Sequence, residues 1–280
     1  MTLTMTDALA GVREHYRAAG LTERLRIALG AFGPEDQRLT PQQLAALDQF
    51  HTRGLAATAD LAKLAGITAD MSVLDVGSGV GGPARFLAAA YGCRVTGVDL
   101  SESFVDAARY LTERTGQGGE VSFQTASALD LPFGDGGFDL VLLQHVAMNI
   151  ADRARLYREI RRVLDVGGRF ATFDVVSNGS EPHYPAPWAR TPATSFLLSA
   201  AATREAIEPA GFRTLAWQDD TEAGKAWFAQ LRASGPPPSP NLGVVMGPDF
   251  LQLSANFGRN LMEGRFGILA ALFEATFNAR

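Results

Sequence analysis

Hydrophobic positions along this chain change their spacing near residue 66. From Asp7 to Ala19 and from Leu21 to Leu29, apolar residues recur three and four apart, the period of a helix with one buried face. Gly33-Pro34 breaks that pattern. Thr40-Pro41 reopens it as a cap and first helical residue, and the helix continues through Leu44, Leu47 and Phe50. His51-Thr52-Arg53-Gly54 interrupts, and Leu55 to Leu64 resumes. From Met71 onward, short apolar runs alternate with helical patterns, as in βαβ units. Strands are expected near 72–76, 94–98, 121–124, 138–143, 168–175, 213–219 and 266–275, and helices near 82–90, 102–115, 152–164, 200–210 and 249–262. Ser177 to Pro192 and Ser234 to Pro240 are too rich in Pro, Ser and Gly for regular structure. The expectation is an α/β protein with a doubly wound, mostly parallel seven-stranded sheet. Residues 1–65 form an N-terminal helical cap, and residues 66–280 form the main domain with a lid insertion near 177–192.

Composition narrows the class. At 46% hydrophobic and 20% charged residues, the 280-residue chain reads as an ordinary globular protein with a full core. A net charge of −5 argues against a nucleic-acid partner, which asks for a basic face. Cys93 is the sole cysteine, so an internal disulfide and a cysteine-based zinc site are excluded. No apolar stretch reaches membrane-spanning length, and the expected location is cytoplasmic. Oligomeric state stays open.

The chemistry concentrates in Val73-Leu74-Asp75-Val76-Gly77-Ser78-Gly79-Val80-Gly81-Gly82. Val73, Leu74 and Val76 suit a buried parallel strand, and the glycines let the backbone turn tightly and let a ligand approach its N–H groups. A second strand, Cys93 to Asp99, ends in an acid that can hold both hydroxyls of a ribose. A nucleoside-bearing cofactor therefore lies across two strand ends. Gly77-x-Gly79-x-x-Gly82 also satisfies the dinucleotide fingerprint, which leaves an NAD-dependent oxidoreductase as an alternative. Asp75 counts against it, because a carboxylate beside the loop would repel a pyrophosphate yet attract a cationic ligand.

Two further motifs, Leu129-Asp130-Leu131-Pro132-Phe133 with its continuation to Leu142, and Glu159 to Phe170, complete an ordered set. With them the sequence resembles the class I S-adenosylmethionine-dependent methyltransferases over roughly residues 45 to 220. Within these it is similar to the small-molecule branch of ubiquinone/menaquinone C-methyltransferases and sarcosine/dimethylglycine N-methyltransferases. The resemblance implies the Rossmann-like methyltransferase fold and S-adenosylmethionine as cofactor, with S-adenosylhomocysteine as product. It implies methyl transfer to a small-molecule N, O or C acceptor without a metal. A cofactor-binding relative that does not methylate (a cyclase, a decarboxylase or a regulatory protein) would carry the same motifs.

Residue by residue, the resemblance puts the methionine part of the cofactor on Gly77, Ser78 and Gly79, with its ammonium near the Gly77 carbonyl and Asp75. Asp99 takes the ribose hydroxyls, and Leu100 packs on the adenine. Ser101 is the better placed of the two to cap the following helix. Ser127, Ala128 and Leu129 edge the adenine; the family often has an aspartate where Ser127 stands, and the serine alternatively closes a turn. Gln144 contributes backbone to the methionine portion. His145 sits at the reacting end as either a general base or an orienting group. Asn149, one turn on, points at the substrate. His51 and Arg53 are candidates for the cofactor carboxylate or the substrate, while His15, His51 and His183 match no metal-ligand spacing. No Asn-Pro-Pro-Tyr-like motif follows the fourth strand, which argues against base amines and protein glutamine as acceptors.

Overall fold

The computed structural model describes Gly11, Tyr16, residues 18–235 and residues 239–276. Most of the helix expected over Asp7–Ala19, with His15, and the centre of the proline run lie outside the described residues. Helix α1 (Leu21–Leu29) buries Leu21, Leu25 and Leu29, spaced by four, against Phe104, Ala107, Tyr110 and Leu111. Helix α2 (Pro41–Asp48) opens on a reciprocal cap. The Thr40 hydroxyl accepts from the Gln43 N–H at 3.3 Å, and the Gln43 amide oxygen accepts from the Thr40 N–H at 2.9 Å. Helix α3 (Leu55–Ala65) closes on Gly66 in the left-handed region.

The main domain then runs β1 (Ser72–Val76), α4 (Gly82–Tyr91), β2 (Arg94–Asp99), α5 (Glu102–Thr115), β3 (Val121–Thr125), β4 (Phe138–Gln144), α6 (Arg153–Val163) and β5 (Leu164–Ser177). After these come α7 (Ala200–Ile207), β6 (Phe212–Asp219), α8 (Thr221–Ala233), α9 (Gly243–Met246), α10 (Phe250–Met262) and β7 (Phe266–Ala275). The seven strands lie in the order β3-β2-β1-β4-β5-β7-β6. β7 is antiparallel to both neighbours and inserted between β5 and β6; the pairs from β3 to β5 are parallel. The two-residue period sends Val73, Leu140, Leu142 and Phe173 to one face, and Leu74, Val141, Leu143 and Phe170 to the other. Both faces are buried under helices, which is why these strands read as unbroken apolar runs.

The structure corrects the sequence reading in three places. β5 starts at Leu164 rather than 168, because Leu164 already pairs with Phe138 before a register shift. The helix expected to 210 ends at Ile207, and a 3-10 turn takes Glu208–Ala210, where Pro209 has no N–H to continue the ladder. Helices α8 and α9 occupy a stretch for which no element was expected. Among the described residues, no helix is long and apolar enough to cross a membrane.

Among the described residues, two ion pairs join the early helices to the main domain. Asp48, the last residue of α2, pairs with Arg85 of α4 at 2.8 Å, both almost wholly buried. Arg53, between α2 and α3, donates to Asp220 at 2.7 Å and also pairs with Asp60.

Candidate active site

The carboxyl ends of β1, β2 and β4 open into a cavity of about 1320 Å³. Its floor is the turn after β1. The Gly77 and Ser78 N–H groups both donate to the Val98 carbonyl, at 2.8 and 3.0 Å, so the turn folds back onto β2. Gly77 has φ +75°, and a side chain there would run into Val146. Gly79 has φ +55° and faces the Phe50 ring, 3.4 Å from where a Cβ would stand. Asp99, at the end of β2, holds the turn: Oδ2 accepts from the Gly79 N–H and Oδ1 from the Ser101 N–H, both at 2.9 Å. Burial raises its pKa above the ordinary carboxylate value.

Asp75 lies at the base of this floor, 2% exposed, and its Oδ2 has no hydrogen-bond partner. Burial, aided by the Asp99 charge, pushes its pKa up to about 7. The Ser78 hydroxyl is likewise buried without a partner. Leu100 and Ser127, Ala128 and Leu129 line the same cavity. The Ser127 hydroxyl accepts from the Leu129 N–H at 3.2 Å, closing a turn. Ser101 does not cap α5 as expected; its hydroxyl turns to the Tyr16 carbonyl and to Ser103, and Asp99 receives the Ser101 N–H instead.

On the far side stands His145, directly after β4. Its N–H donates to the Phe173 carbonyl at 2.8 Å and its φ is +53°, a left-handed conformation forced by the turn out of the sheet. Its ring stacks on Phe173, with centroids 5.5 Å apart and 9° between planes, and its Nε2 is buried without a partner. Burial, then the nearby His51, hold its pKa well below the usual histidine value. His51 is buried too, with its pKa pushed down to about 4. Its Nε2 lies 3.1 Å from the Thr58 hydroxyl and 3.5 Å from the Gln144 amide nitrogen. The buried Asp174 carboxylate serves the N–H groups of Ala147 and Val175, each at 2.8 Å.

The structure thus brings Asp75, Gly77, Ser78, Gly79, Asp99, Leu100, Ser127, Ala128, Leu129, Gln144, His145 and Asn149 to one cavity, together with His51. Asn149 faces it while receiving the Tyr16 hydroxyl at 3.5 Å. Arg53 is drawn away into its pairs with Asp60 and Asp220. His183 is distant from this set, bonded to Glu263 at 2.8 Å. Sequence reasoning missed the aromatic side chains Trp188, Phe228 and Phe257, which line the cavity, and Phe173, which stacks on His145. These residues come from four separate segments, and no spacing rule joins them. Among the described residues, no three His, Cys, Asp or Glu side chains gather as a metal site.

Residues 74–172 match the family described as the methyltransferase domain. The chain carries a methyltransferase domain. That stretch holds most of β1 through most of β5, and with them Asp75, the glycine turn, Asp99, Ser127, Gln144 and His145; His51, Trp188, Phe228 and Phe257 lie outside it. Among curated proteins, it is similar to the methyltransferase GfsG of Streptomyces halstedii, at 36% identity over 48% of this chain and 48% of that one. It is also similar to a sarcosine/dimethylglycine N-methyltransferase of Halorhodospira halochloris, at 41% identity over 38% of each. The matched stretch spans about half or less of these relatives' length. Among solved structures, the cyclase SpnF superposes over 99% of this chain and 98% of its own, with TM-score 0.68 and 22% identity. Geranyl diphosphate C-methyltransferase from Streptomyces coelicolor A3(2) superposes over 79% of each, with TM-score 0.65 and 20% identity. These likenesses show the fold, which is Rossmann-like.

Proposed function

We propose that the protein transfers a methyl group from S-adenosylmethionine to a small-molecule acceptor at nitrogen, oxygen or carbon. The observation that carries the reading is the buried, unpartnered carboxylate oxygen of Asp75 beneath the glycine turn, in one cavity with Asp99. A buried polar atom without a partner calls for a ligand group, and a carboxylate calls for a cationic one. When bound, the cofactor supplies a methyl group on a cationic sulfur, and S-adenosylhomocysteine remains after transfer.

In this reading Asp75 and the Gly77 carbonyl hold the ammonium. Ser78 and Gly79 run beneath the methionine chain. Asp99 keeps acceptor capacity for the ribose hydroxyls, since a carboxylate has about four acceptor positions and two backbone N–H groups use part of them. Leu100, Ala128 and Leu129 flank the adenine, and Ser127 meets its edge. Gln144 adds backbone to the methionine portion. His145 faces the acceptor as a neutral imidazole that receives a hydrogen bond or a proton, and Asn149 borders the same space. The chain before residue 66 acts as a cap, and the segment near 177–192 as part of a lid. No metal has a role.

Calorimetry with S-adenosylhomocysteine and with NADH tests the reading. Binding of the first and not the second is expected, because Asp75 repels a pyrophosphate. Binding of NADH alone would return the glycine turn to the dinucleotide class.

A further inference from the structure

We infer that the acceptor is a large neutral molecule, with an apolar body and one uncharged hydrogen-bonding group at its reacting end. That group is received by Thr52, Gln144 and His145. The inference rests on the methyl-transfer reading and narrows it.

Size comes first. A single small-molecule site occupies roughly 300–1,000 Å³, and this cavity measures about 1320 Å³. It has room for a cofactor and a second ligand of substantial body. The wall beyond His145 is a row of rings packed on one another. Of the lining rings, His145 meets Phe257 at 6.3 Å and Phe257 meets Trp188 at 6.4 Å with planes 89° apart, while Phe173, outside the lining, stacks on His145. Rings in mutual contact make one continuous apolar face. A cage for a quaternary ammonium instead points several ring faces at one centre.

Charge comes second. Among the described residues lining the cavity, the charged ones are Arg24, Asp48, Asp75, Asp99, Arg190 and Asp249. Asp75 and Asp99 belong to the cofactor end. Asp48 is held by Arg85, and Arg190 and Asp249 pair with each other at 2.7 Å, both substantially exposed. Arg24 is exposed and donates to the carbonyls of Ala19 and Val244. None of these offers a free counter-charge beside His145. A charged head group there would lose its hydration without compensation.

The polar groups at that end are neutral and wanting partners. Gln144 Oε1, Thr52 Oγ1 and His145 Nε2 are buried with no hydrogen bond, and the Thr52 and Gln144 side chains are more than nine-tenths buried. His51 beside them is uncharged at neutral pH, its pKa lowered to about 4 by burial. Such a set suits one hydroxyl or carbonyl, not an ammonium or a phosphate. The amine and diphosphate named for two of the similar proteins therefore do not carry over. The deciding residues His51, Thr52, Trp188 and Phe257 lie outside the stretch that the family match covers.

The test uses three probes of one chain length: farnesol, farnesylamine and farnesyl diphosphate. Each is titrated into the S-adenosylhomocysteine-loaded protein. Trp188 and Trp227 line the cavity and are two of the chain's three tryptophans, so their fluorescence reports binding. Farnesol is expected to bind at least tenfold tighter than either charged probe. Phe257→Ala is expected to weaken farnesol at least fivefold while S-adenosylhomocysteine affinity stays within twofold. The inference is overturned if a charged probe binds as tightly as the alcohol. It is also overturned if none of the three binds a loaded protein, or if farnesol is indifferent to Phe257→Ala. Failure of S-adenosylhomocysteine itself to bind would remove the methyl-transfer reading first, and the acceptor class with it. The head-group comparison needs only the unaltered protein.

Discussion

Asp75→Asn separates what this carboxyl does for a ligand from what it does to the fold. Its pKa of about 7 in the folded protein, set first by burial and then by Asp99, lies above the ordinary aspartate value of 3.8. Between about pH 4 and pH 7 the folded state therefore binds more protons than the unfolded one. By linkage, this group's contribution to stability falls as pH rises through that window. Three units at roughly 1.4 kcal/mol each bound the effect at about 4 kcal/mol. Asparagine has no charge to bury. The variant should melt higher at pH 8, by about 2–4 °C for each kcal/mol recovered, and the two melting curves should converge toward pH 4. Ligand binding should move the other way. A cationic ammonium favours the ionised carboxyl, so binding near pH 7 should expel part of a proton. Calorimetry of S-adenosylhomocysteine in phosphate and in Tris should then give different enthalpies for the unaltered protein and equal ones for Asp75→Asn. Affinity should drop by about 1.5–3 kcal/mol, the worth of a charge-assisted bond. A variant that melts lower at pH 8, or enthalpies independent of buffer in the unaltered protein, would refute this account.

Other substitutions probe the rest of the cavity. Asp99→Asn keeps one acceptor oxygen but turns an NH₂ toward either the Gly79 or the Ser101 N–H; S-adenosylhomocysteine affinity should fall by about 1.5–3 kcal/mol, and a dissociation constant within threefold would sink the ribose assignment. Gly79→Val sets a branched side chain at φ +55° against Phe50 and should abolish cofactor binding by calorimetry; normal affinity with normal thermal stability would exclude the turn as the cofactor's floor. Burial, then His51, hold the His145 pKa well below the usual histidine value. A pH-rate profile should therefore show no limb near 6.5 from this residue, and His145→Ala should raise the acceptor KM about tenfold, the size of one lost hydrogen bond. A drop in kcat of about 10²-fold or more would instead make it the general base.

The strands were legible because each is a short apolar run closed by a turn signal, and β7 (Phe266–Ala275) was placed residue for residue. The gathering of Asp75, the glycine turn and Asp99 at one cavity was legible for a related reason: they sit on strand ends whose positions the chain pattern determines. Helix α8 was not read, although Ala223, Trp227 and Leu231 recur every four residues in a stretch with good helix formers. The sequence reading assigned no element there and named only Ser234 to Pro240, just beyond it, as irregular. For His145 the sequence pattern showed its place directly after β4 but not its surroundings. Its lowered pKa comes from burial and then from His51, and His51 and the stacked Phe173 ring reach it only through the folding of the early helices and of the sheet. Ser101 shows the same limit: local preference favoured it as a side-chain cap, but in the fold its hydroxyl turns to the Tyr16 carbonyl and Ser103, and α5 has no side-chain cap.

The ion pair between Asp48 and Arg85 governs how the cavity can open. Prising α2 from α4 would leave a guanidinium without its counter-charge in the interior, at about 3–5 kcal/mol. Openings that break this pair are thereby rarer, by roughly two to four orders of magnitude, than openings of equal contact area that spare it. Asp48 lines the cavity from α2, while the lining segments around Trp188 and Val245 are joined to each other only by an exposed pair, Arg190 with Asp249, of the kind worth about 1 kcal/mol or less. The molecule is built like a vice with one fixed jaw, and traffic of ligands is expected across the other.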